Sequence, residues 1–160
     1  MEFSRLKKEV YSNLPKMLEV VKASAIEKEM GVSSGWISLR LNHTQNGKYS
    51  IRRFTQNDVD KLNKGIWSLA EKLSTIIIPY SSDRAEGVRL VKEYLSPLFI
   101  NKLAKEKLEW EQFDLSSRML TGVSAKYRPQ FTKDDIEQLT IGAREVSTRM
   151  FSVEYVLSEE

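Results

Sequence analysis

The sequence predicts an all-α fold: two tandem helix-turn-helix repeats, each ending in a long amphipathic helix, packed about a pseudo-twofold axis. Three observations lead there. Apolar residues recur at helical spacing, and no stretch alternates long enough for a sheet. Glycine and proline are sparse, 7 and 4 in 160 residues, which disfavours a turn-rich β architecture. The chain is also written twice. Phe54, Thr55, Asp58, Leu62 and Gly65 recur 77 positions later as Phe131, Thr132, Asp135, Leu139 and Gly142. With one residue of slippage, Ser38, Arg40, Lys48 and Tyr49 recur as Ser116, Arg118, Lys126 and Tyr127. The predicted domains are therefore residues 1–80 and 81–160, with the boundary near Pro79 and Tyr80.

Each element has a local reason. Phe3, Leu6, Val10, Tyr11 and Leu14 lie at helical spacing, and Pro15 is expected to interrupt the pattern. A short helix over residues 23–30 should end at Gly31, which tolerates the left-handed conformation. Ser33 or Ser34 can cap the next helix, which reaches about Asn42 with Ile37 and Leu41 on one face. A polar loop over residues 43–53 carries the turn signal Asn46-Gly47. Thr55 and Asp58 form a capping box that opens a helix to about Thr75, striped by Val59, Leu62, Ile66, Leu69 and Leu73. The second repeat follows the plan over residues 98–108 and 111–120, then a helix from Thr132 to about Phe151. A linker helix over residues 83–94 replaces the first one.

Composition removes several function classes. There is no cysteine, so disulfides, thiolate metal sites and cysteine nucleophiles are excluded. One histidine, His43, leaves little room for zinc. No apolar run approaches the roughly 20 residues a membrane span needs, and the first residues lack a signal-peptide core. A cytoplasmic protein without cofactor or membrane partner is expected. The acidic pairs Asp58/Asp60 and Asp134/Asp135 sit where helix N-termini favour negative charge, and no phosphate loop or triad pattern is present, so no enzyme activity is expected. Net charge is +3, but residues 1–80 hold 13 basic and 8 acidic residues, against 12 and 14 in residues 81–160. No acidic residue occurs between Met30 and Asn57, a stretch that carries Arg40, Lys48, Arg52 and Arg53. A surface facing a polyanion needs such clearance, because each carboxylate would repel phosphate. An ordinary solvated loop has the same composition.

Residues 25–42, with Gly31-Val32-Ser33 at the turn, Ile37-Ser38 in the second helix and Leu41-Asn42 at its end, resemble the helix-turn-helix of the Cro/C1-type repressor family. The longer pattern of residues 36–42, Asn46-Gly47-Lys48 and Phe54-Thr55 is similar to a small family of gut-bacterial helix-turn-helix proteins whose function is not settled. The likeness covers residues 23–76 and, more weakly, 101–152. Departures are specific. Glu27, and Lys105 in the second repeat, stand where a small residue lets the helices pack closely, so a splayed crossing is expected. Glu109 and Trp110 replace Gly31 and Val32, while Glu111 and Asp114 would face phosphate poorly.

The resemblance implies that Ser33, Ser34, Ser38 and Asn42 face the major groove of double-stranded DNA, with Lys48, Arg52 and Arg53 on phosphates. Arg40 belongs to the candidate DNA-binding set, yet its recurrence as Arg118 fits equally a structural pair with a carboxylate of the long helix. Trp36, Trp67 and Trp110 read as core anchors before stacking groups. The Lys-Tyr pairs of the two loops fit either a wing or a pinned loop, and His43 a solvent-exposed helix end. A DNA-binding transcriptional or mobile-element regulator is the expected function, as a pseudo-symmetric monomer or a homodimer. The alternative is a protein-assembly module docking through the second repeat, with Phe99, Phe113 and Tyr155 as candidate contacts.

Overall fold

Residues 4–42, 53–120 and 128–158 are described in the computed structural model. Among them the chain runs β1 (Leu6–Glu9), α1 (Val10–Met17), α2 (Ala23–Met30), α3 (Trp36–Leu41) and α4 (Gln56–Ser74), then α5 (Arg84–Tyr94), α6 (Ile100–Leu108), α7 (Gln112–Met119), α8 (Lys133–Phe151) and β2 (Val153–Val156). No helix among the described residues is long and apolar enough to cross a membrane.

The fold is mostly helical, but the expectation of no sheet is corrected. β1 and β2 pair in parallel, with Leu6 opposite Val153 and Glu9 opposite Val156. Residues 6–9 therefore do not continue the first helix as their spacing predicted. Their backbone groups bond to the last strand instead, and α1 starts at Val10, where the Glu9 carboxylate accepts from the backbone N–H of Tyr11 at 2.6 Å and Ser12 at 3.2 Å. Pro15 lies inside α1 and does not interrupt it as expected.

The two long helices start as their sequences dictate. Thr55 and Asp58 form a reciprocal capping box at α4, and Thr132 and Asp135 form one at α8. Their apolar stripes meet in the centre: Leu62, Ile66 and Leu69 from α4, Leu139, Val146 and Met150 from α8, all buried. Ser147, buried between them, donates to the Ala70 carbonyl at 2.6 Å.

Hydrogen bonds across the middle of the molecule come in exchanged pairs. Lys22 N donates to Pro97 O and Phe99 N to Val20 O, each at 2.8 Å, flanking an antiparallel bridge between Val21 and Leu98. Trp67 Nε1 donates to Val153 O at 2.9 Å, and Arg144 Nε donates to Ile76 O at 3.0 Å. In both sets each donor and acceptor is replaced in the second bond by the residue 77 positions away, the same separation as Ala70 and Ser147. The side chain of Asn63 closes a buried two-bond ring with Tyr155, donating to its carbonyl at 2.9 Å and accepting from its N–H at 2.8 Å.

α2 has eight residues and α6 has nine. Both end on a left-handed residue, Gly31 at φ 72°, ψ 30° and Glu109 at φ 57°, ψ 24°. Glu109 is the one described non-glycine residue with positive φ, a conformation that strains an L side chain. Replacing it with glycine is expected to stabilise the protein by about 0.5–1 kcal/mol, the αL strain relieved less the added chain entropy. Thermal unfolding checks this, and an unchanged or lower Tm contradicts it.

Candidate nucleic-acid interface

The turn between α2 and α3 is built from its own backbone needs. Gly31 closes α2 in the left-handed region, and Gly35 takes φ 90° just before α3. Neither Ser33 nor Ser34 caps α3, contrary to expectation. The carboxylate of Glu27 does so from the preceding helix. Oε1 accepts from Gly35 N at 3.3 Å and Oε2 from Ile37 N at 2.8 Å. Glu27 is only 4% exposed, so its long side chain is folded beneath the start of α3. A buried carboxylate holding two N–H groups at a helix N-terminus is favourable in both hydrogen bonding and dipole.

This arrangement leaves Ser33 and Ser34 exposed and their hydroxyls out of the cap. Ser38 and Asn42 are exposed on α3, while Trp36 and Ile37 are buried. Ser38 Oγ donates to Gly35 O at 3.1 Å, leaving its lone pairs open to solvent. Leu39, 52% exposed beside Ser38, was not among the expected site residues. Its sequence signal is an apolar residue outside the Ile37–Leu41 stripe, and an exposed aliphatic group suits contact with a thymine methyl. The exposed face of α3 is therefore hydroxyl, amide and aliphatic, with no carboxylate.

Arg40 is engaged in structure rather than offered to a ligand. Its Nε lies 3.1 Å from Asp58 Oδ2, its Nη1 donates to Trp36 O at 3.1 Å, and its guanidinium stacks 3.9 Å above the Trp36 ring. Trp36 in turn meets Phe54 edge-on at 6.0 Å. Burial alone would raise the Asp58 carboxyl, but hydrogen bonds from Thr55 and Arg40 hold it below the usual aspartate range. Of the two readings open for Arg40, the pairing with a long-helix carboxylate is the one observed.

A similar stack is built around Arg118. Arg118 lies 3.9 Å above Trp110 and 3.9 Å from Asp135 Oδ2, and Trp110 packs on Phe131 at 6.1 Å. Here the tryptophan comes from the turn, where the first half supplies it from the helix. Asp114 accepts from the backbone N–H of Glu111 at 3.2 Å, which spends its side chain on the start of α7. The exposed surface of α7 shows Phe113 at 72% and is followed by Leu120 at 45%. Phe99 is exposed too, but Tyr155 is 3% exposed in β2, so it is corrected from candidate contact to core.

Arg53 is exposed, and the backbone N–H of buried Phe54 beside it donates to the Tyr11 hydroxyl at 2.9 Å. Lys48, Arg52, His43, Tyr49, Lys126, Tyr127 and the Asn46-Gly47 turn lie outside the described residues. Among the described residues no three histidine, aspartate or glutamate side chains gather in a way that could hold a metal ion. The α3 face can donate and accept neutral hydrogen bonds without repelling an anion.

No protein-family model, curated protein or solved structure matches the chain.

Proposed function

We propose that the protein binds double-stranded DNA through its first helix-turn-helix, as a regulator of transcription or of a mobile element. The observation that carries this reading is the exposed surface of the turn and α3: Ser33 and Ser34 before the helix, Ser38 within it and Asn42 at its end, no carboxylate among them, and Glu27 folded inward as a cap. Arg53, with Lys48 and Arg52 from the same carboxylate-free stretch, would contact phosphates, while Arg40 would hold α3 on α4.

The exchanged hydrogen bonds, each related by 77 positions, support a tandem duplication folded about a pseudo-twofold axis. In that reading α4 and α8 meet as the two halves of a homodimer would, and α7 is the counterpart of α3. Half-sites served by such a pair lie about 34–36 Å apart on DNA. Glu111 in the place of Ser33 leaves α7 the poorer reader. Exposed Phe113 and Leu120 favour a second role for that half, docking a protein partner.

Fluorescence anisotropy with duplex DNA over a salt series tests the reading. Binding should weaken linearly in log–log form with salt, and Arg52→Glu/Arg53→Glu should weaken it at least tenfold and flatten the slope by about two. Absence of binding at low salt overturns it.

A further inference from the structure

A cleft of about 380 Å³ opens between β1 and α1 on one side and α8 and β2 on the other. Its wall is apolar, formed by Met17, Val20, Val21, Val146 and Met150. Three cations also line it, Lys8, Lys16 and Arg149, and no carboxylate does. Among the described residues neither the Lys8 nor the Lys16 ammonium has a hydrogen-bond or ion-pair partner, and Arg149 only approaches Glu106 loosely at 3.6 Å with both side chains half exposed.

Tyr155 completes the lining, its hydroxyl beside Met17 of the apolar wall. The residue is 3% exposed, and the hydroxyl's partner is Met17 Sδ at 3.6 Å, a thioether that accepts weakly. Burial pushes this phenol up to about 12, so it stays protonated and remains a donor at neutral pH. A buried donor with only a sulfur to receive it, inside an apolar cleft bordered by cations, is the complement of an acid group on an apolar chain.

We propose that this cleft binds a small amphipathic anion: a carboxylate on a short apolar chain, its acid group meeting the lysines and the Tyr155 hydroxyl. The volume lies near the lower end of the roughly 300–1,000 Å³ typical of ligand pockets, which suits a short chain rather than a long lipid. On the tandem reading, a supporting point that the cleft itself does not depend on, the positions 77 away from Lys16, Met17, Val20 and Tyr155 hold Glu93, Tyr94, Pro97 and Ile78. The Lys16 cation and the Tyr155 phenol thus have no counterpart at the related positions.

Isothermal titration of the full chain with octanoate, octylamine and octanol tests the proposal. Octanoate is expected to bind saturably at one site, at least tenfold more tightly than either of the others. Lys16→Glu, at a largely exposed position, is expected to weaken octanoate at least tenfold, and Tyr155→Phe about fivefold, with circular dichroism unchanged. Three results would overturn the proposal: no saturable octanoate binding, equal binding of octylamine or octanol, or octanoate affinity unchanged in both variants. The readout is octanoate occupancy, so it stands apart from the DNA measurement.

Discussion

Glu27→Ala is expected to lower stability by about 2–3 kcal/mol and to loosen α3 from the rest of the fold. The carboxylate is buried and receives two backbone donors, one of them from the fully buried Ile37. Alanine removes the acceptor without letting water reach the N–H groups, so the desolvation penalty of about 1–3 kcal/mol for an unsatisfied donor applies in addition to the lost cap. Glu27→Gln keeps the shape and one acceptor oxygen, and should lose only about half as much. Urea denaturation measures the loss, and amide exchange at Ile37 localises it. An unchanged midpoint for the alanine variant would show that the cap contributes nothing. If DNA binding falls in parallel while Arg53 is untouched, the cap and the proposed reading surface are mechanically linked.

The second large effect is expected at Gly65. This glycine lies inside α4 against α2, and a Cβ there would overlap Met30 Cγ and stand 3.6 Å from the Ile26 carbonyl. Gly65→Val forces the two helices apart and should cost about 2–3 kcal/mol, overpacking outweighing any gain in helix propensity. Met30→Ala opens the space, so the double variant should recover at least 1 kcal/mol relative to the additive sum, a coupling typical of residues in contact. Additive effects in that cycle would refute the packing argument. The corresponding change at Gly142 should be milder. Its neighbours are Lys107 Cγ at 3.1 Å and Leu103 Cδ2 at 3.3 Å, and a long lysine can swing aside.

Local signals in the sequence were reliable where the chemistry is local. Thr55–Asp58 and Thr132–Asp135 start helices because the three-residue spacing brings each side chain to its partner's backbone. Gly31 ends α2 because it alone takes φ 72° without strain. The recurrence of Arg40 as Arg118 kept a structural pairing in view, and that pairing is present. The features that escaped depend on distant partners. β1 and β2 have four residues each, too few to show alternation, and each finds its mate at the far end of the chain. Glu27 looked like an obstacle to close helix packing because the backbone donors it satisfies lie eight and ten residues away. The two aromatic stacks were hidden since one draws its tryptophan, Trp36, from a helix and the other, Trp110, from a turn, at positions that do not align. For the candidate site, Ser33, Ser34, Ser38, Asn42 and Arg53 are exposed as expected, whereas Leu39 needed the fold to reveal it.

The parallel pairing of β1 with β2 also sets the order in which the chain can fold. Arg5 donates to the carbonyl of Phe151, 146 positions away, and the buried amide of Asn63 is satisfied only by Tyr155. During synthesis the first helices can form and collapse early. The polar group in α4 and the edge of β1 find these partners only once residues 153–156 are made. Closing so long a loop raises contact order and slows the final step. Until residues 153–156 pair with it, β1 has an open strand edge. An early stop within residues 153–156 would leave that edge open to pairing between chains.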